Sequence, residues 1–162
     1  MFDWSGVYLK EVVGMDIFSM GYFIFMIFMA TSRFASDWFI NRLGMQKMYY
    51  ISASIAATGM LLAVFFPTFL MVMIGFSLVG IGTAAIIPMT LILTGTSTKF
   101  SPGMAISLVS TFAMVGMLTG PPVIGWIAHA TSLRVSFAFL ALTAIMIIPV
   151  SRRFFRIKET AV

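Results

Sequence analysis

The chain has 162 residues, of which 60% are hydrophobic and 9% charged, and its mean hydropathy is +1.06. A water-soluble domain carries about 25% charged residues, so most of this surface is expected to meet lipid. The absence of cysteine excludes a disulfide framework and a thiolate metal site.

In chain order, Met1 to Asp16 (MFDWSGVYLKEVVGMD) carries three acids and no apolar core, unlike a cleaved leader. It is amphipathic, too polar and short to span, and its Trp4 and Tyr8 suit a headgroup layer. Ile17 to Ser32 is uncharged and rich in Phe and Met; extended to Ala35 it predicts a first spanning helix. RFASDWFINRLGMQK, Arg33 to Lys47, then forms a polar hinge between two apolar runs, as a chain needs when it turns in water and crosses back. Arg33 falls where the first helix is expected to end, and its charge complements the exposed carbonyls there. Asp37 can accept hydrogen bonds from Arg33, from Arg42, or from N–H groups at a helix start. Gly44 permits a tight reversal.

Met48 to Phe66 is the second span, ended by Pro67, with Ser52, Ala56 and Gly59 spaced for close helix approach. The third covers Thr68 to about Thr94, where Pro88 interrupts it late. A polar turn, TGTSTKFSPG, places Pro102 at the next helix start. The fourth span runs from Gly103 to about Ala128, and HATSLR leads to a fifth over about 133–151. The chain closes on a basic tail, 152–162.

Five spans put the two ends on opposite sides of the membrane. With the hinge inside, Arg33, Arg42, Lys47, Lys99, Arg152, Arg153, Arg156 and Lys158 fall inside, and only Lys10 and Arg134 fall outside. Basic residues concentrate in cytoplasmic segments, so the expected N-terminus is outside and the C-terminus cytoplasmic. The net charge of +5 is therefore a topology signal, not a nucleic-acid patch.

Chemistry-bearing patterns are few. GIGTAA, Gly80 to Ala85, has the form of a dinucleotide fingerprint but lies inside a spanning run with no strand before it; Gly75, Gly80 and Gly82 read instead as thinning a helix for tight packing. GTSTK, Gly95 to Lys99, lacks the first half of a phosphate-binding loop. His129 is the single histidine, so no paired-histidine metal site can form. Ser107, Ser110 and Thr111 have no intramembrane base to activate them, and the 15 methionines are scattered, as packing residues are. No enzyme constellation, cofactor or metal site is expected. GMLTGPPVIG, Gly116 to Gly125, sets Gly116 and Gly120 beside Pro121 and Pro122. Two consecutive prolines remove two helix donors and predict a helix break, of the sort found on substrate pathways of secondary transporters.

The hinge, with Arg33, Asp37, Arg42 and Gly44, resembles the loop motif of the major facilitator superfamily; Ser32 stands where the motif usually has Gly, and only Lys47 is basic after Gly44. GPPVIGWIAHATSLRVSF resembles the family's eleventh helix and following turn. DWSGVYLKEVVG resembles the approach to the eighth helix in a bacterial branch related to sugar permeases. The resemblance covers essentially the whole chain and implies an all-α integral membrane fold matching family helices eight to twelve. It implies a missing N-terminal half as partner, a small-molecule substrate of sugar-like or other small organic kind, and a multi-pass place in the inner membrane. Helices eight, ten and eleven of the family line the cavity, while nine and twelve face lipid. The implied cavity residues are Tyr22, Thr83, Thr90, Ser107, Ser110 and Thr111. A small membrane subunit or regulator of another carrier is the alternative; an integral-membrane enzyme would need a polar cluster this sequence does not contain.

Overall fold

Apolar solvent leaves a backbone no partner but itself, and every element here obeys that rule. A computed structural model describes residues 4–15, 18–96 and 100–160, and all its described elements are helical. Ile17, Asp3, Asp16 and Lys99 lie outside the described residues. A short helix α1 (Ser5–Tyr8) widens into one π-type turn, Leu9–Val13. Then come α2 (Phe18–Leu43), α3 (Met45–Phe65), α4 (Phe69–Ala84), α5 (Ile86–Gly95), α6 (Pro102–Ala130) and α7 (Leu133–Thr160). Among the described residues five segments are long and apolar enough to cross a membrane, Ser19–Leu43, Met45–Phe65, Phe69–Gly95, Pro102–Ala130 and Leu133–Arg156. The fold is all-α and built to span a membrane.

Small residues set the packing. A Cβ on Gly75 would come within 2.5 Å of the Gly59 carbonyl, and one on Gly59 would meet Gly75 equally closely, so α3 and α4 touch backbone to backbone. Gly82 faces Ser52 and Ala56 of α3, whereas Gly80 faces the Phe25 carbonyl of α2. The glycines of Gly75 to Gly82 thus form a two-sided packing strip on α4, as their spacing led us to expect. Around it Tyr8, Phe76 and Phe137 form the largest buried cluster, with ring centroids of Tyr8 and Phe137 4.2 Å apart. A second cluster, Met48, Tyr49, Ala85 and Met89, lies towards the other end of α3.

Four expectations need correction. The first helix does not stop near Ala35: α2 continues to Leu43, because no Gly or Pro interrupts Arg33–Leu43 and a charge at the water boundary does not unwind a helix. The reversal is a single residue, Gly44, at φ +80° and ψ 154°, a backbone state open to glycine. Second, no break occurs at Pro121 and Pro122, since α6 is one helix from Pro102 to Ala130. Both prolines have a φ compatible with the helix, and the carbonyls they leave unbonded, Met117 and Leu118, belong to exposed residues.

Third, the expected interruption at Pro88 falls one turn earlier, at Ala85, between α4 and α5. Pro88 has no N–H to give the Ala84 carbonyl; the ladder resumes with Met89 N–H bonding Ala85 O at 3.1 Å. Fourth, the Tyr8 side chain does not face outward to lipid headgroups: it is fully buried inside the bundle. Its hydroxyl donates to the Ala63 carbonyl at 2.6 Å. Arg134 donates from Nε to Val64 O at 2.6 Å and from Nη2 to Phe65 O at 3.2 Å, and Phe66 N–H reaches Leu62 O at 3.0 Å. The last four carbonyls of α3, which a helix cannot satisfy itself, are all bonded. The cationic cap also suits the negative end of the helix dipole.

Candidate functional site

Arg33, Asp37 and Arg42 of the loop motif lie on a helix, α2, and only Gly44 lies between helices. Arg33 and Asp37 stand one turn apart on the exposed end of α2, so both reach the same side of it. With Ser36 they line a recess of about 360 Å³ whose far wall is Ile87, Pro88 and Leu91 of α5. Ser36 is buried, its hydroxyl donating to Ser32 O at 2.7 Å, while Ser32 donates to Ile81 O on α4 at 3.4 Å. Ser32, the departure from the motif, therefore serves where a small residue must face a neighbouring backbone.

Arg42 is elsewhere, with its guanidinium 4.5 Å from the Trp38 ring centre, a cation–π distance. Among the described residues no ion pair joins Asp37 to Arg33 or Arg42. The structure thus brings Arg33 and Asp37 together, sets Arg42 against an aromatic face, and leaves Gly44 as the reversal.

The expected cavity residues divide into two groups. Thr83 donates to Val79 O at 2.8 Å, back along its own helix. Thr90 donates to Ile86 O at 2.7 Å and accepts from the Tyr49 hydroxyl at 2.6 Å, so it joins α5 to α3. Both are half-buried. Tyr22 on α2, and Ser107, Ser110 and Thr111 on α6, are exposed, with Thr111 donating to Ser107 O at 2.9 Å. Only Ala105 and Ile124 of α6 are buried. A Cβ on Gly116 or Gly120 would meet nothing, whereas one on Gly125 would strike the Trp4 ring. The Gly116–Gly120 face is open, and only Gly125 is spent on packing within this chain. Among the described residues no group of three or more His, Cys, Asp or Glu could hold a metal ion.

Within this chain α3 is enclosed between α4 and α7, and α2 and α6 present the widest bare surfaces. Ser36 and Tyr49 were not singled out in the sequence, and Arg134 stood out there as an outer charge but not as the cap of α3. Ser36 left a trace there, as the serine one turn beyond Ser32 and beside Asp37.

Similarity to known proteins identifies the family. The family model described as Major Facilitator Superfamily matches residues 5–161. An uncharacterised MFS-type transporter of Yersinia pestis is 34% identical over 88% of this chain and 38% of its own length. Membrane protein MosC of Rhizobium meliloti is 31% identical over 90% of the chain and 36% of its own length. An uncharacterised transporter of Sinorhizobium fredii is 35% identical over 90% and 39% respectively. The chain therefore spans about two fifths of the length of these relatives. No solved structure matches it. With five membrane-spanning helices and a family match over nearly its full length, the chain belongs to the Major Facilitator Superfamily of transporters.

Proposed function

We propose that this chain supplies one wall of the solute pathway in a secondary carrier, corresponds to family helices eight to twelve, and works with further helices that form the opposite wall. The observation that carries this reading is α6: a 29-residue apolar helix with two buried residues and an uncovered Gly116–Gly120 face. A surface of that kind, carrying the exposed hydroxyls of Ser107, Ser110 and Thr111, suits a helix with lipid on one side and a solute path on the other. The solute is small and organic, of sugar-like or related kind, held by hydroxyls and not by charge. A coupling carboxylate, if the carrier uses one, belongs to the opposite wall. The chain lies in the inner membrane with Tyr8 and Arg134 at the outer end and Arg42, Lys47 and Arg152 at the cytoplasmic end.

Alternating access needs two halves moving about a shared site. The purified chain in liposomes is therefore expected to show no saturable uptake. Joined behind the preceding helices of the Yersinia pestis relative, it is expected to take up at least one solute from a panel of sugars and small organic molecules. Uptake by the chain alone would overturn the reading. Modulation of a separate intact carrier, with no uptake by the joined protein, would assign the chain to a regulatory subunit instead.

A further inference from the structure

We infer that the end of the bundle formed by the start of α3 and the end of α7 binds the headgroup of an anionic glycerophospholipid, through Lys47 and Arg152 arranged about Tyr50. This rests on the chain spanning a membrane, not on its orientation or on any transport activity.

The two helices run antiparallel. Arg134 of α7 grips Val64 and Phe65 at one end. At the other, the Phe155 ring lies 5.9 Å from Tyr49, and the Arg152 guanidinium 5.4 Å from the Tyr50 ring centre. From Arg134 to Arg152 the helix rises about 27 Å, close to the roughly 30 Å of a bilayer's hydrocarbon. Lys47 to Phe65 on α3 spans the same rise, so Lys47 and Arg152 share one level, at the boundary where phosphates lie. Lys47 sits three residues before Tyr50, on the same side of α3.

Tyr50 is held in place by Gln46, whose side-chain amide donates to its hydroxyl at 3.2 Å. Its ring in turn fixes Arg152, an exposed side chain that would otherwise sweep freely. An arginine stacked on a ring keeps its N–H fork for a phosphate. Arg153, also exposed, adds charge beside it, and exposed Phe154 offers an apolar face for acyl chains. No acid stands between Asp37 and Glu159 in the sequence, so no carboxylate from that stretch competes for these cations. Clusters of Lys and Arg at a helix end attract anionic lipid, each cation contributing about fivefold in affinity.

The test uses the full chain in detergent, with added phosphatidylglycerol or phosphatidylcholine and native mass spectrometry to count retained lipid. Phosphatidylglycerol is expected to be retained at least about fivefold better, and Lys47→Gln with Arg152→Gln should remove that preference. Lys10→Gln, at the opposite end, should leave it intact. Equal retention of both lipids, or an unchanged preference in the double variant, overturns the inference. Because that variant could loosen α7, the unaltered chain is also measured against sodium chloride. Phosphatidylglycerol retention should fall steeply with salt while phosphatidylcholine retention stays flat, and salt-independent retention overturns the inference. Full competition by inorganic phosphate or water-soluble glycerophosphoglycerol would assign the site to a free phosphate and overturn the lipid.

Discussion

Asp37 and Tyr8 show how differently a single polar group acts at the two ends of this bundle. Asp37 sits in a recess with a cation one turn away yet makes no ion pair among the described residues. If it is only a solvated surface acid, Asp37→Asn should be nearly silent, since exposed pairs contribute about 0–1 kcal/mol. In the carrier proposed above it meets groups of the opposite wall in a partly dry seam, where charge-assisted bonds are about twice as strong as neutral ones. Asp37→Asn in the joined protein is thus expected to cut uptake at least about tenfold at normal membrane abundance, with Asp3→Asn as the silent control. Near-full uptake by both variants would reduce the recess to a surface feature. Tyr8, by contrast, is complete within this chain. Tyr8→Phe leaves the Ala63 carbonyl without its donor and should cost about 1 kcal/mol, seen as a lower melting temperature. Burial pushes the Tyr8 phenol above its ordinary 10.0, with the Arg134 charge pulling the other way. The folded state therefore favours the neutral phenol: its contribution is fully present below pH 10 and lost as pH rises through the raised value. Thermal unfolding of the parent chain should worsen above pH 10 more than that of Tyr8→Phe.

For whole helices, glycine position separates those that finish their packing here from the one that does not. Substituting Gly75 with Val forces a side chain into the Gly59 carbonyl and is expected to destabilise the chain by about 1–3 kcal/mol, as overpacking does. Gly116→Leu meets open space and should leave the melting temperature of this chain unchanged. In the joined protein the same change should block assembly or uptake; unimpaired uptake would mean that α6 faces only lipid there. The number of spans was legible in the sequence because five apolar runs are separated by charge or proline. Their limits were not, because charge marks where water begins and α2 continues beyond Arg33 to Leu43 before a glycine ends it. The proline pair misled for a related reason, since a missing donor need not break a helix whose freed carbonyls lie on exposed residues. The spacing of Arg33 and Asp37 was readable as a motif, but Ile87 and Pro88 opposite them were not. That pairing depends on how α2 and α5, far apart in sequence, are set against α4.

Taken as one body, the described chain sets Arg134 at the Tyr8 end and Lys47 and Arg152 at the other. Cysteine introduced at Gly44 and at Thr131 should react with an impermeant reagent from opposite sides, Gly44 from the cytoplasm and Thr131 from outside. Labelling of both from one side would overturn the five-span topology. The contact between α1 and α7 also has a consequence for synthesis. Tyr8 packs on Phe137, and Ala63, its hydroxyl's acceptor, lies in α3 beside the Arg134 cap. At about 5–20 residues per second, the ribosome reaches Phe137 roughly 6–26 s after Tyr8. For that interval Tyr8 has Phe76 beside it but lacks the closer cover of Phe137, and the end of α3 has no arginine. Nascent chains arrested after Ala130 should therefore expose Tyr8 to iodination, and release of the remaining residues should shield it.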